Sequence, residues 1–112
     1  MGPGFESLPG HMEYFVYFLH SLKDYGFYIG CTSEKPAERL KNYHNKGWVK
    51  STKPRIPFEL VYYEIYNDKN LAFKREFYLK HPKGFNEKRA IINLIKNTEK
   101  NKLPIIIKNI KN

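Results

Sequence analysis

Two short aromatic segments, residues 14–19 (Tyr-Phe-Val-Tyr-Phe-Leu) and residues 27–32 (Phe-Tyr-Ile-Gly-Cys-Thr), are separated by a mostly polar stretch that ends in Gly26. Aromatic and branched side chains suit a pleated, buried surface, and a brief polar link with a glycine lets two such segments fold back on one another. The pattern predicts a β-hairpin at the start of the fold.

The rest of the chain alternates in type. Thr32 or Ser33 can cap a helix whose first turn tolerates Pro36, which predicts a helix over residues 34–46 ended by Gly47. Residues 48–57 hold two prolines with Lys50, Lys53 and Arg55 and read as a basic loop. Residues 58–66 read as a third strand. Asn67 or Asp68 can cap a second helix over 69–80, with Leu71, Ala72, Phe73 and Leu79 as its core positions and His81 and Pro82 as its stop. A third helix is expected over 86–97, its apolar face made by Ile91, Ile92, Leu94 and Ile95. Beyond it, Pro104, Ile105, Ile106, Ile107 and Ile110 form an apolar patch in a Lys/Asn-rich tail that suits an extra strand, a short helix or a partner contact.

A chain of 112 residues suits one compact domain. Residues 1–11, rich in Gly and Pro and without an apolar period, read as a vector-derived remnant ahead of Met12. Residues 12–98 then form the domain, and residues 99–112 a C-terminal extension. The net charge of +9, from 20 Lys and Arg against 11 Asp and Glu, favours a polyanionic partner. Nothing resembles a long apolar span or a secretion signal, which argues against a membrane and for a soluble, cytoplasmic protein. The one cysteine, Cys31, has no second thiol for a disulfide or a structural zinc site and fits a reducing setting as a packed or half-exposed thiol.

The order strand, strand, helix, basic loop, strand, helix, helix carries four motifs. They are Val16-Tyr17-Phe18; Tyr28-Ile29-Gly30 followed by Thr32; Arg39 ahead of Tyr43-His44-Asn45-Lys46-Gly47; and Glu76 at the end of Ala72-Phe73-Lys74-Arg75-Glu76. In that order they resemble the GIY-YIG endonuclease family, especially its small single-domain members related to the N-terminal nuclease domain of an excinuclease. The resemblance covers about residues 12–96. It implies an α/β (α+β) fold with a small three-stranded, mainly antiparallel sheet flanked by three or more helices. It also implies that Arg39 is the catalytic arginine and Glu76 the metal-binding glutamate. Val16 and Phe18 depart from the first motif's glycine and isoleucine, and Cys31 stands where some members place a lysine.

The same residues suit the chemistry. Phosphodiester hydrolysis needs an activated water, a cation to take up charge at the phosphorus and help for the departing oxygen. Glu76 would hold one Mg²⁺ or Mn²⁺ with water and phosphate oxygens completing the shell. Arg39 presents a planar fork that matches phosphate. Tyr17 is the candidate general base, with its pKa to be lowered by nearby cations or the metal, and Tyr28 would orient water or phosphate. His44 can relay a proton from Tyr17, contact DNA together with Tyr43, or simply cap and pack the helix end. Lys41, Lys46, Lys50, Lys53, Arg55 and Lys74 are expected to surround this face as phosphate contacts, and Trp48 to stack on a base or close the core.

The expected function is a metal-dependent endonuclease acting on DNA, with RNA as the other candidate substrate. It would be structure-selective or weakly sequence-specific, because no reading module is left over, and would serve repair, recombination or DNA processing, with a homodimer or a targeting partner as possible company. The alternative is a nucleic-acid-binding module that keeps the fold without cutting.

Overall fold

The computed structural model describes residues 12–108, so the expected remnant at 1–11 and the last four residues of the tail lie outside the described residues. Strand β1 (Tyr14–Ser21) pairs antiparallel with β2 (Phe27–Thr32) on one side and with β3 (Phe58–Tyr66) on the other. A fourth strand, β4 (Ile105–Lys108), runs parallel to β3 and makes the sheet order β2-β1-β3-β4. The family resemblance implies three strands. The tail's isoleucines take the strand alternative and add the fourth, and Ile105 and Leu103 pack against the core beside β3.

Alternation along β1 sends its side chains to two faces. Val16 and Phe18 join Ile29, Val61, Tyr62, Tyr66, Ala72, Leu79, Ile91 and Ile95 in the larger core. Tyr17 and Leu19 point the other way, into a smaller cluster with Phe58. A bulge between Phe18 and Leu19 in the β1–β3 pairing lets Val61 and Tyr62 both reach the larger core.

Helix α2 (Lys69–Lys80) and helix α3 (Phe85–Lys96) cover the larger face. Asp68 caps α2 by accepting from the N–H groups of Asn70 and Leu71, and His81, extended ahead of Pro82, ends it. Of the four core positions expected in α2, Ala72 and Leu79 are buried and Leu71 is partly so, but Phe73 is 48% exposed. In α3, Ile91 and Ile95 are buried while Leu94 faces out. No helix among the described residues is long and apolar enough to cross a membrane.

The first helix is shorter and less regular than the spacing predicts. Helix α1 (Pro36–Arg39) begins at Lys35 without a side-chain cap, because Thr32 spends its hydroxyl on the Glu34 N–H just ahead of it. It runs directly into a π-helical turn over Leu40–His44, closed by Asn45 N–H to the Leu40 carbonyl at 2.9 Å. Gly47, at φ +77°, supplies the left-handed residue that ends this segment. The Asn45 side chain then bonds both the N–H and the carbonyl of Phe58, which ties the helix end to the start of β3.

Candidate active site

The site is centred on Tyr17. In the β1–β2 ladder Tyr17 lies opposite Gly30, and its ring crosses the space that a side chain there would fill. A Cβ on Gly30 would come within 2.6 Å of the Tyr17 Cζ and Oη. The glycine of the second motif is therefore what lets the tyrosine of the first lay its hydroxyl across β2.

The hydroxyl meets His44 Nε2 at 2.8 Å, and His44 Nδ1 meets Thr52 Oγ1 at 3.0 Å. Thr52 donates to the Val49 carbonyl, so it accepts from Nδ1–H and leaves Nε2 to accept the tyrosine proton. His44 is fully buried. That leaves the ring without an open face for DNA, and its two bonds suit both the packing and the proton-relay alternatives. Burial, followed by the charge on Arg39, lowers the His44 pKa to about 4, so the ring is neutral at ordinary pH. Burial first, then Tyr28, pushes the Tyr17 phenol above its usual range, although Arg39 pulls it down by a hydrogen bond and by charge. Nearby cations or the metal are expected from the sequence to lower this pKa. Of these Arg39 does so here, and the loss of solvent outweighs it.

Arg39 reaches the Tyr17 hydroxyl from the last residue of α1. Its guanidinium lies 4.5 Å above the Tyr43 ring, and Nη1 is 3.9 Å from a Glu34 oxygen. Its Nε–H is buried and lacks a protein partner among the described residues. A buried donor without an acceptor is costly, so the arrangement suits an anionic oxygen arriving from outside.

Glu76 lies on the opposite side, on α2, close enough to act on the charge of both Tyr17 and Cys31. It is partly open and pairs with Lys80 Nζ at 2.9 Å. Lys80 also lies 5.5 Å above the Tyr28 ring, which in turn sits 5.2 Å from the His44 ring. The four motifs do not include Lys80. The signal for it is nonetheless in the sequence, since Lys80 follows Glu76 by four residues and so shares its side of the helix. Cys31 is held as a thiol, its pKa pushed up to about 11 by burial and then by Glu76.

The flanking basic residues divide. Arg55 is committed elsewhere, with Nε 2.7 Å from Asp24 Oδ2, a further bond to the Phe27 carbonyl and the Phe58 ring 5.4 Å away. It braces the hairpin turn, and its guanidinium holds the Asp24 carboxyl down to about 2. Lys74 lies about 160° around α2 from Glu76, at about 100° per residue, and so faces away from it. Lys41, within the π turn, and Lys46, Lys50 and Lys53, beyond it, are exposed. Tyr43 lies under Arg39 at the rim, and Trp48, at 74% exposure, does not close the core.

Among the described residues there is no group of three or more His, Cys, Asp or Glu that could hold a metal ion. A cation here would take its protein oxygen from Glu76 alone, beside the unsatisfied Arg39 donor. A hard divalent ion that keeps waters and phosphate oxygens in its shell fits that donor set.

The GIY-YIG catalytic domain family matches residues 13–89, more than half of the chain, and the chain belongs to that family of nucleases. Its sequence is 40% identical to a UPF0213 protein of Staphylococcus epidermidis over 68 residues, 61% of this chain and 80% of that one. A UPF0213 protein of Clostridium perfringens is 38% identical over 66 residues, covering 59% and 69% of the two chains. One of Staphylococcus aureus is 40% identical over 69 residues, covering 61% and 80%. No solved structure matches the chain.

Proposed function

We propose that this nuclease-family protein is a metal-dependent endonuclease that hydrolyses phosphodiester bonds in DNA. The observation that carries the reading is the Tyr17 hydroxyl bonded to His44, with Arg39, Tyr28 and Glu76 near enough to act on its charge and the Arg39 Nε–H left without an acceptor among the described residues. The scissile phosphate would lie against Arg39. Its oxygen would take up the unused Nε–H, and the cationic fork would bear the charge that grows on the phosphorus oxygens.

The bond to His44 eases the demand on Tyr17. A phenol with a raised pKa is a poor source of free phenolate at neutral pH. With Nε2 poised at 2.8 Å, however, Tyr17 can accept a proton from an attacking water while passing its own to His44. The water oxygen then bonds to phosphorus as the bond to the departing oxygen breaks, and the proton on His44 returns by the same path to the product side. Tyr28, beside His44 and more open than Tyr17, would orient the water. A divalent cation held through Glu76 would supply charge stabilisation for the departing oxygen.

The positive charge, the exposed lysines beyond the π turn and the lack of an added reading module among the described residues support structure-selective or weakly specific cutting, in repair, recombination or DNA processing inside the cell. The test is nicking of supercoiled plasmid and of a branched DNA by purified protein with Mg²⁺ or Mn²⁺, with EDTA and Glu76→Ala as controls. Cutting that disappears in both controls is the expected result. Binding without cutting on every substrate would return the protein to the non-catalytic alternative.

A further inference from the structure

Helix α2 is oddly faced. A helix lying on a core ordinarily turns its large apolar residues inward, yet α2 buries Ala72 and Leu79 and leaves Phe73 48% exposed. Lys69, Phe73, Glu76 and Lys80 recur at helical spacing and form one row along its flank. Phe73 precedes Glu76 by three residues, about 4.5 Å along the axis. Lys69 Nζ lies 5.6 Å from the Phe73 ring centre.

Beside Phe73, a cavity of about 510 Å³ is lined by Arg39, Cys31, Tyr14 and Lys69. Past Glu76, a second cavity of about 380 Å³ is lined by Tyr28, Lys80, Lys88 and Ile92. It adjoins a third, where Lys80 and Lys88 meet Phe85. Phe85 is also 48% exposed, with Lys88 Nζ at 5.4 Å and Arg89 Cζ at 5.8 Å from its ring centre. Glu76 is thus bracketed by two open aromatic rings, each with a cation at its face.

We infer that this row is the track of an unpaired DNA strand, whose bases stack on Phe73 and Phe85 on either side of Glu76. Its phosphates would run past Arg39, Lys69, Lys80 and Lys88. Open aromatic rings interleaved with cations are what single-stranded nucleic acid uses, because every base offers a face to stack. A base inside a duplex has both faces covered by its neighbours and gains nothing from such rings. The lysines alone would attract either form. The aromatic rings make the choice, and they make the substrate a single strand, a flap or a gap rather than an intact duplex. This inference rests on the nuclease reading for the site between the rings.

The test is fluorescence anisotropy of the full chain in EDTA, with a labelled mixed-sequence DNA strand alone and annealed to its complement. The proteins are wild type, Phe73→Ala, Phe85→Ala and the double variant. Both rings are exposed, and circular dichroism checks that each variant folds. The single strand is expected to bind about tenfold more tightly than the duplex, and the double variant to lose about tenfold on the single strand with less than a twofold change on the duplex. Equal or tighter binding of the duplex, or equal losses on both, would overturn the inference while leaving a cutting enzyme intact. Failure to bind either DNA would remove the nuclease reading along with it.

Discussion

Arg75 and Glu76 are neighbours on one helix and belong to opposite kinds of site. Arg75 turns under the sheet to Glu64, with Nε and Nη2 each 2.9 Å from a carboxylate oxygen, and reaches Glu87 at 2.9 Å as well. Glu64 is buried, and the hydroxyls of Tyr62 and Tyr66 donate to its two oxygens at 2.6 and 2.7 Å. That pairing raises the Arg75 pKa, even though burial alone would lower it. Around the corner, among the described residues, Glu76 pairs with one lysine and Arg39 has a buried donor with no acceptor. A charged cluster with every oxygen satisfied has no capacity for a ligand and can only hold the fold. One with spare donors and acceptors carries a cost that a substrate can relieve.

Replacing the two neighbours in turn gives the largest expected effects and the clearest way to break the comparison. Arg75→Ala strands the Glu64 carboxylate in the core and should cost about 3–5 kcal/mol in denaturant unfolding. Glu76→Ala gives up a surface pair worth about 0.3–0.5 kcal/mol, so stability should barely move. Cutting, however, should fall by about 10³-fold or more, equivalent to about 4 kcal/mol of barrier. If Glu76→Ala unfolds the protein as readily as Arg75→Ala, the distinction between the two clusters collapses.

The Tyr17–His44–Thr52 chain lies between these extremes, saturated within the protein yet part of the route proposed for the proton. Its mark is in pH. Unfolded, a histidine takes up a proton near 6.5; in the fold His44 does so only near 4. Between those values the unfolded state binds more protons, so acid favours unfolding and the contribution of His44 is fully present only above about 6.5. It amounts to about 3 kcal/mol over the interval. In His44→Gln the slope of unfolding free energy against pH from 4 to 6.5 should be shallower by nearly one proton. An unchanged slope would mean that His44 titrates in the fold as it does in the unfolded chain, and that neither burial nor Arg39 holds it neutral through this interval.

Gly30→Ala sharpens the contrast from the backbone side. A methyl 2.6 Å from the Tyr17 ring must displace it, and the strain should cost about 1–3 kcal/mol. Cutting should fall further than the stability loss accounts for, measured well below the melting temperature. Gly47→Ala, strained by its φ of +77° but away from the ring, should destabilise the protein while cutting follows stability alone.

Most elements are legible in the sequence because their signals are local. Asp68 ahead of α2, Pro82 behind it and the aromatic hairpin each act within a few residues of where they sit. The four motif positions can be read in order, and the chain brings Tyr17, Tyr28, Arg39 and Glu76 around one hydroxyl. The features that escape such a reading depend on distant partners. β4 exists because β3 offers it an edge, and an Ile-rich tail alone does not say which strand it joins. The π turn after Arg39 is not written in any periodicity, and it carries His44 inward. Arg55 looks like a phosphate contact until Asp24, 31 positions away in the sequence, is seen to occupy it. Phe73 looks like core because it is apolar and helical, and only the packing of Ala72 and Leu79 shows that the core lies to one side of it.

Lys80 gives the smallest expected effect and the finest adjustment of the comparison. Its ammonium, 2.9 Å from a Glu76 oxygen, pairs with the carboxylate that would hold a divalent ion, so the two cations would compete for it. A strongly hydrated point charge on a flexible stem can leave readily, and the pair is exposed enough that its loss costs only a few tenths of a kcal/mol. In Lys80→Gln the competition for Glu76 disappears, and the Mg²⁺ or Mn²⁺ concentration that gives half-maximal cutting of a plasmid should fall about two- to fivefold, on the scale of one exposed ion pair. Thermal stability should stay within about 0.5 kcal/mol. Should the metal requirement rise instead, Lys80 would be holding Glu76 in place for the cation, and the site would be nearer to the saturated cluster around Glu64 than its open geometry suggests.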